Sequence, residues 1–394
     1  MTTKFCTTTN LPCGFTTSAM HIGFKRKRLD FAVVKSETLC NIALMVTKNK
    51  FKGAPLLASL DHAQNGKAQA IAVNAGNANA GNGPQGIKDA KEMAYLVAKK
   101  IEIFNTDVIV ASTGIIGKPM PMKVFRKQIT DLPPLNTNFT QTEQAILTTD
   151  TKTKSISVTV CGAVIKGFAK GSGMIHPHLV GLTKKHATML AFILTDAEFS
   201  HRTLKQMLKT AVDQSFNGIS VDGEMSCNDM VVLMANGMNK ISVKQIYFEQ
   251  ALRYVCLNLA RMIVEDGEGA TKVIEATVAG ARRAGMAEKL ARSLTTSPLI
   301  KTAAYGRSPN WGRIAARIGA ENGNFSVEKM EIVMNGHCLY KNGKTSKFHT
   351  DRLVQSLGGK SVSIIVDLHQ GDKTFTAYGC DLTEQYVAIN AAYS

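Results

Sequence analysis

Ala187-Thr188 stands at the front of an apolar run, Met189-Leu190-Ala191-Phe192-Ile193. Upstream lies a glycine-rich turn, Lys170-Gly171-Ser172-Gly173-Met174-Ile175-His176-Pro177. A chain cut just before Thr188 would give that residue a hydroxyl nucleophile and a free α-amine able to act as its base. An interior threonine has only the hydroxyl.

Other chemistries fit less well. Gly171-Ser172-Gly173-Met174-Ile175-His176 lacks the third glycine of a dinucleotide-binding loop, and no Gly-Lys-Ser/Thr phosphate loop occurs. His176, His178 and His186 lie close in sequence, but no helical i,i+4 pair or nearby cysteine or carboxylate completes a zinc set. No cysteine sits in a recognisable nucleophile signature, and Gly171-Ser172-Gly173 has the wrong spacing for a Gly-x-Ser-x-Gly elbow. The threonine nucleophile remains, though residue types alone leave it open.

A reacting carbonyl needs donors for its oxyanion, held by regular elements. Val108-Ile109-Val110-Ala111 reads as a strand ending in Ser112-Thr113-Gly114-Ile115-Ile116-Gly117. That ending offers a hydroxyl and an unencumbered backbone N–H at a strand tip, although it also reads as a plain exit into a turn. The strand Gln69–Val73 runs into an Asn/Gly loop, residues 74–83, of the kind that permits left-handed backbone.

Residues 29–34 and 42–47 read as two strands separated by a polar turn, and Ser155–Ile165 alternates as a strand leading into the glycine-rich turn. Apolar spacing predicts helices over 89–103, 204–216, 248–264 and 287–294. The carboxylate-rich turn from Val221 to Asp229 is readable as a metal or acid/base site, or as an Asx-type turn. Glu268 lies between Gly267 and Gly269, free to be aimed. A change of character at Arg282-Arg283 marks a candidate boundary between a domain over 1–280 and a C-terminal domain over 281–394.

The 394 residues suffice for two or three domains, and 44% hydrophobic with 20% charged residues is ordinary for a globular protein. Lys plus Arg outnumber Asp plus Glu by 47 to 30, a formal charge of +17. Such a balance raises nucleic acid, a membrane surface or an acidic small substrate as partners. The basic runs, Lys25-Arg26-Lys27-Arg28 and Lys184-Lys185, are short and lack interleaved aromatics, so a solvated surface is favoured over nucleic-acid binding. No apolar run approaches the ~20 residues of a membrane span. Eight cysteines without paired spacing, and an N-terminal stretch without a signal-peptide core, fit a reducing, cytoplasmic setting.

Taken together the motifs resemble the ornithine acetyltransferase (glutamate N-acetyltransferase) family. They are Gly76-Asn77-Ala78-Asn79-Ala80, Ser112–Gly117, Thr148-Thr149-Asp150-Thr151, Lys170–Ile175, Ala187–Phe192, Asp266–Lys272, Pro309-Asn310-Trp311-Gly312-Arg313, Gly379–Thr383 and the Asn390 tail. They cover essentially the whole chain in order.

The resemblance implies an α/β fold, an αββα sandwich of the N-terminal-nucleophile-like type with a smaller C-terminal α/β domain. It implies self-cleavage between Ala187 and Thr188 into chains 1–187 and 188–394, associated as an α2β2 heterotetramer. Thr188 would carry the acetyl group from N2-acetylornithine to glutamate by ping-pong exchange. Thr113 and Gly114 would hold the oxyanion, and Thr148, Lys170, Thr188, Glu268, Asn390 and Ser394 would bind substrate, with no metal or cofactor. Acetyl-CoA as a second donor is left open. The nearest rival within the broad fold is a self-processing aminopeptidase or amidase that hydrolyses the acyl-enzyme. The sequence departs from the family in a longer segment between the turn and the cleavage site (His178 to His186), and in the spacing from Asn390 to Ser394.

Overall fold

A computed structural model describes residues 4–180 and 189–392. Ala187, Thr188, Ser394 and most of the long segment before Thr188 therefore lie outside the described residues. Two units divide the chain: one formed by 1–171, 177–217 and 225–263, the other by 172–176, 218–224 and 264–394.

The first unit is built on a nine-stranded mixed sheet. Its strand order is Phe5–Thr8, Lys154–Val160, Ala163–Lys170, Leu190–Thr195, Met230–Ala235, Phe31–Val46, Lys67–Asn77, Val108–Ile115, with Phe15–Met20 also paired to Phe31–Val46. Alternation along the strands sends Val34, Ile71, Val73, Ile109, Phe192 and Val232 into one buried cluster. Phe31, Val33, Ala72, Val108 and Val110 go into another. Period-two burial on both faces is what a central sheet requires.

The predicted helix over 89–103 forms, but over Gly83–Ile101. Pro84 sits in its first turn, where a missing N–H costs nothing. Ala90, Met93, Ala94, Val97 and Ile101 lie at helical spacing in the second cluster. The helix near 204–216 runs from His201 to Asp213, and Ser200 Oγ caps it by accepting the Thr203 N–H.

Two expectations fail. Ser155–Ile165 is not one strand but the turn region of a hairpin, with Lys154–Val160 antiparallel to Ala163–Lys170 and the chain reversing at Cys161-Gly162. Residues 29–34 and 42–47 are not two strands but parts of a single strand, Phe31–Val46. The polar stretch that reads as a turn is an irregularity in the pairing with Lys67–Asn77, whose register shifts between Lys35 and Cys40. Ser36 meanwhile pairs with Phe15 and the Glu37 N–H reaches Gly14 O at 2.9 Å, so the chain stays extended through the bulge.

The second unit carries a seven-stranded sheet in the order Lys344–Thr345, His337–Lys341, Glu331–Met334, Ser361–Asp367, Val273–Ala281, Lys373–Cys380, Ile219–Ser220. Ile274, Ala276 and Val278 alternate inward against Val362, Ile364 and Val366. Ala287, Leu290, Ala291 and Leu294 of the helix Ala284–Thr296 belong to the same cluster. The α/β class expected from the sequence is thus borne out, with two sheets and their helices.

Candidate active site

The strands Lys67–Asn77 and Val108–Ile115 run parallel, with Asn74 opposite Ser112, Ala75 opposite Thr113 and Gly76 opposite Gly114. Gly114 has φ +131, and a Cβ there would lie 2.4 Å from Gly76 C and 2.6 Å from Asn77 N. Only glycine fits. Ser112 Oγ donates to Asn74 Oδ1, and Asn228 Nδ2 donates to Ser112 O at 3.0 Å and Ala78 O at 2.6 Å. These bonds hold the strand tip that carries Thr113.

Lys170 ends the strand Ala163–Lys170 with its side chain buried. Its ammonium donates to Thr148 Oγ1 at 2.8 Å and Thr113 Oγ1 at 3.2 Å. One cation therefore gathers three of the residues the resemblance implicates, from three separate parts of the sequence. Lys170 also pairs with Leu190 in the sheet, and Thr188 precedes Leu190 by two residues in the sequence.

Asp150 organises this cluster, a role its place in the Thr148–Thr151 motif does not reveal. Its carboxylate accepts the Thr148 N–H at 3.0 Å, the Gly171 N–H at 2.6 Å and the Lys154 ammonium at 2.7 Å, and it lies 3.8 Å from Lys170 Nζ. Burial alone would raise its pKa. The cations Lys170 and Lys154 and the two donated hydrogen bonds from Lys154 and Gly171 overrule burial, holding the carboxyl well below the usual carboxylate range.

Lys25 was also missed. The basic run 25–28 reads as solvated surface, and Arg26, Lys27 and Arg28 are indeed exposed. Lys25 instead turns inward, donating to Leu29 O at 2.9 Å and Ala145 O at 3.1 Å. Burial pulls its pKa down to about 8, against the raising effect of Asp30; Lys170 and Arg28 lower it further.

The second unit holds the remaining candidates. Glu268 is buried; its N–H donates to Ser172 O at 3.0 Å and its Oε2 accepts from Asn390 Nδ2 at 2.8 Å. Ser172 Oγ returns a bond to Asp266 O at 2.6 Å. Gly173 packs directly against this carboxylate, since a Cβ would lie 2.3 Å from the Glu268 carboxyl carbon. Asn390 sits on the helix Glu384–Ala392, anchored where Thr383 Oγ1 donates to Gly269 O at 2.8 Å.

The turn at 221–229 takes its Asx reading. Asp222 accepts the N–H groups of Met174 at 2.6 Å, Ile175 at 3.0 Å and Glu224 at 3.1 Å, so it shapes the glycine-rich turn. Burial raises its carboxyl pKa, those backbone donors oppose the rise, and the Glu268 charge adds to it. His176 Nε2 lies 3.0 Å from Arg292 Nη2. Among the described residues no group of three or more His, Cys, Asp or Glu is placed to hold a metal, and no helix is long and apolar enough to cross a membrane.

The chain is similar to known proteins over nearly its full length. It is 43% identical over 399 residues to the arginine biosynthesis bifunctional protein ArgJ of Caldanaerobacter subterraneus subsp. tengcongensis, covering 97% of each chain. It is 43% identical over 394 residues to the protein of the same name from Staphylococcus epidermidis, again with 97% of each covered. The crystal structure of the Bacillus halodurans arginine biosynthesis bifunctional protein ArgJ matches 52% of this chain and 100% of its own at 39% identity, with a TM-score of 0.51. The ArgJ family model matches residues 16–394. With that match and relatives above 40% identity across the chain, the protein belongs to the ArgJ family.

Proposed function

We propose that this protein is an acetyltransferase of arginine biosynthesis, moving the acetyl group of N2-acetylornithine to glutamate, and that, like relatives named bifunctional, it has a second activity, acetylating an amino acid with acetyl-CoA as the donor. The observation that carries the reading is the ammonium of Lys170 bonded to both Thr113 and Thr148, one residue from Gly114. Strand pairing between Lys170 and Leu190, two residues beyond Thr188, supports it.

The chemistry begins with cleavage. Thr188 Oγ attacks the Ala187 carbonyl, the peptide becomes an ester, and water releases chain 1–187 from a chain that starts at Thr188. The new α-amine, with a reference pKa near ~8, is a general base at neutral pH. It takes the Thr188 hydroxyl proton as Oγ attacks the acetyl carbonyl of acetylornithine.

Thr113 Oγ and the Gly114 N–H stabilise the oxyanion. The C–N bond breaks, the ornithine amine takes the proton, and acetyl-Thr188 remains. The neutral amine of glutamate attacks that ester, N-acetylglutamate leaves, and Thr188 is regenerated. Lys170 and Thr148 hold substrate by charge and hydrogen bond, and Glu268 with Asn390 binds an amino group; Ser394 belongs to the same set. No metal or cofactor takes part. The processed chains, 1–187 and 188–394, assemble as an α2β2 heterotetramer and work in the cytoplasm.

Acetylornithine supplied with and without glutamate tests the transferase reading. Ornithine release should depend on glutamate and be matched by N-acetylglutamate. Release that is indifferent to glutamate would instead identify an amidase.

A further inference from the structure

A second buried cation stands four residues before Lys170 on the same strand, and acetyl transfer makes no use of it. The register of the first sheet sets Lys166 opposite Ser157, and Ser157 opposite Thr8, so these side chains share one face with Ser155. Lys166 is buried, and its ammonium lies 2.8 Å from Glu143 Oε1 and donates to Ser155 Oγ at 2.9 Å. Ser155 Oγ donates in turn to Glu143 Oε1 at 2.7 Å. The Phe139 ring backs the ammonium, its centre 5.4 Å away.

This pair leaves part of its hydrogen-bonding capacity idle. Lys166 uses two of its three ammonium hydrogens, and Glu143 Oε2 has no partner among the described residues. Charges withdrawn from water favour the fold only when their remaining donors and acceptors are met. Both residues line a cavity of about 480 Å³, with Asn138 and Thr140 exposed at its rim. Such a volume suits a small molecule oriented by a few convergent polar groups. The charges then select its class. Lys166 and Glu143 sum to zero, so an ion of one sign is attracted by one and repelled by the other, whereas a zwitterion satisfies both with charge-assisted bonds. The 2.8 Å between the paired atoms matches a molecule whose ammonium and carboxylate are borne on one carbon.

We propose that this cavity is a binding site for a free α-amino acid, separate from the acetyl-transfer site, in which Lys166 holds the α-carboxylate and Glu143 Oε2 the α-ammonium. The ligand rests on the two elements that present the transfer residues. Glu143 belongs to the helix Thr140–Ala145, which ends three residues before Thr148, and Lys166 belongs to the strand that ends at Lys170.

Isothermal titration of the free proteinogenic L-amino acids into the whole purified protein, into Glu143→Gln and into Thr140→Trp provides the test. Thr140→Trp fills the cavity from its exposed rim and leaves the charged pair in place. At least one amino acid should bind wild type, and each variant should weaken it about tenfold or more, as loss of a charge-assisted bond or of the space requires. Its amide, which lacks the carboxylate, and its N-acetyl derivative, which lacks the ammonium, should lose about as much. Binding that survives in either variant would overturn the proposal. So would an amide or N-acetyl derivative that binds as well as its parent, or binding by none of the amino acids. Should Glu143→Gln not fold, Thr140→Trp decides alone. The readout is binding, so its outcome is independent of acetyl transfer.

Discussion

Asp150 and Lys170 are tied twice: the carboxylate faces the Lys170 ammonium at 3.8 Å and accepts the N–H of the next residue, Gly171, at 2.6 Å. The same group thus fixes both the charge and the backbone at the strand end from which Lys170 reaches Thr113 and Thr148. Lys154, four residues after Asp150, completes the pair from the other side at 2.7 Å.

Replacing Asp150 with asparagine keeps the size but removes the buried charge that faces Lys154 and Lys170, so it should cost about 3–5 kcal/mol of stability at pH 7. The folded carboxyl titrates below its unfolded value of ~3.9, so its contribution is complete above that value and fades as pH falls toward the folded pKa. Urea unfolding of wild type and Asp150→Asn at pH 7 and pH 3 should therefore show a gap that narrows at the lower pH. A gap that widens on acidification would contradict the charge assignment.

Gly114→Ala places a methyl group against Gly76 and Asn77 in a backbone conformation that alanine rarely adopts. Strain of about 1–3 kcal/mol, plus overpacking of about 1–3 kcal/mol, should lower the thermal midpoint sharply. Gly117→Ala, three residues on, meets no atom within 4 Å, so only its positive φ should be felt. Equal destabilisation by the two variants would show that the contact with Gly76 does not matter.

Gly173→Ala acts on a different candidate. Its methyl group collides with the Glu268 carboxylate, the mobile end of a side chain rather than backbone. Folding should survive, while the bond between Glu268 and Asn390 is displaced and transfer falls by tenfold or more, about 1.4 kcal/mol or greater. Glu268→Gln should reproduce the loss. Undiminished activity in Gly173→Ala would remove Glu268 from the account.

Much of this was legible in the sequence because it depends on local spacing. Gly114 after Thr113 marks a strand tip, and the helix over 83–101 announces itself through Met93, Ala94, Val97 and Ile101. Even there the polar residues Ser36 to Thr38 suggest a turn, since a bulge and a turn share the same residue types. Lys25 was hidden for a different reason. Its meaning lies in contact with Ala145, 120 residues away, and its neighbours Arg26 to Arg28 do lie on the surface as a basic run should. Asp222 likewise earns its role only by reaching Met174 and Ile175 across the chain.

Thr188 carries the central claim. Intact-mass spectrometry of the purified protein, before and after acetylornithine is added without glutamate, tests it most directly. Two chains should appear, residues 1–187 and 188–394, and the second should gain one acetyl group that glutamate then removes; Thr188→Ala should remain a single, unacetylated chain. One uncut chain of 394 residues with full transfer activity, or an acetyl group retained by Thr188→Ala, would contradict the account.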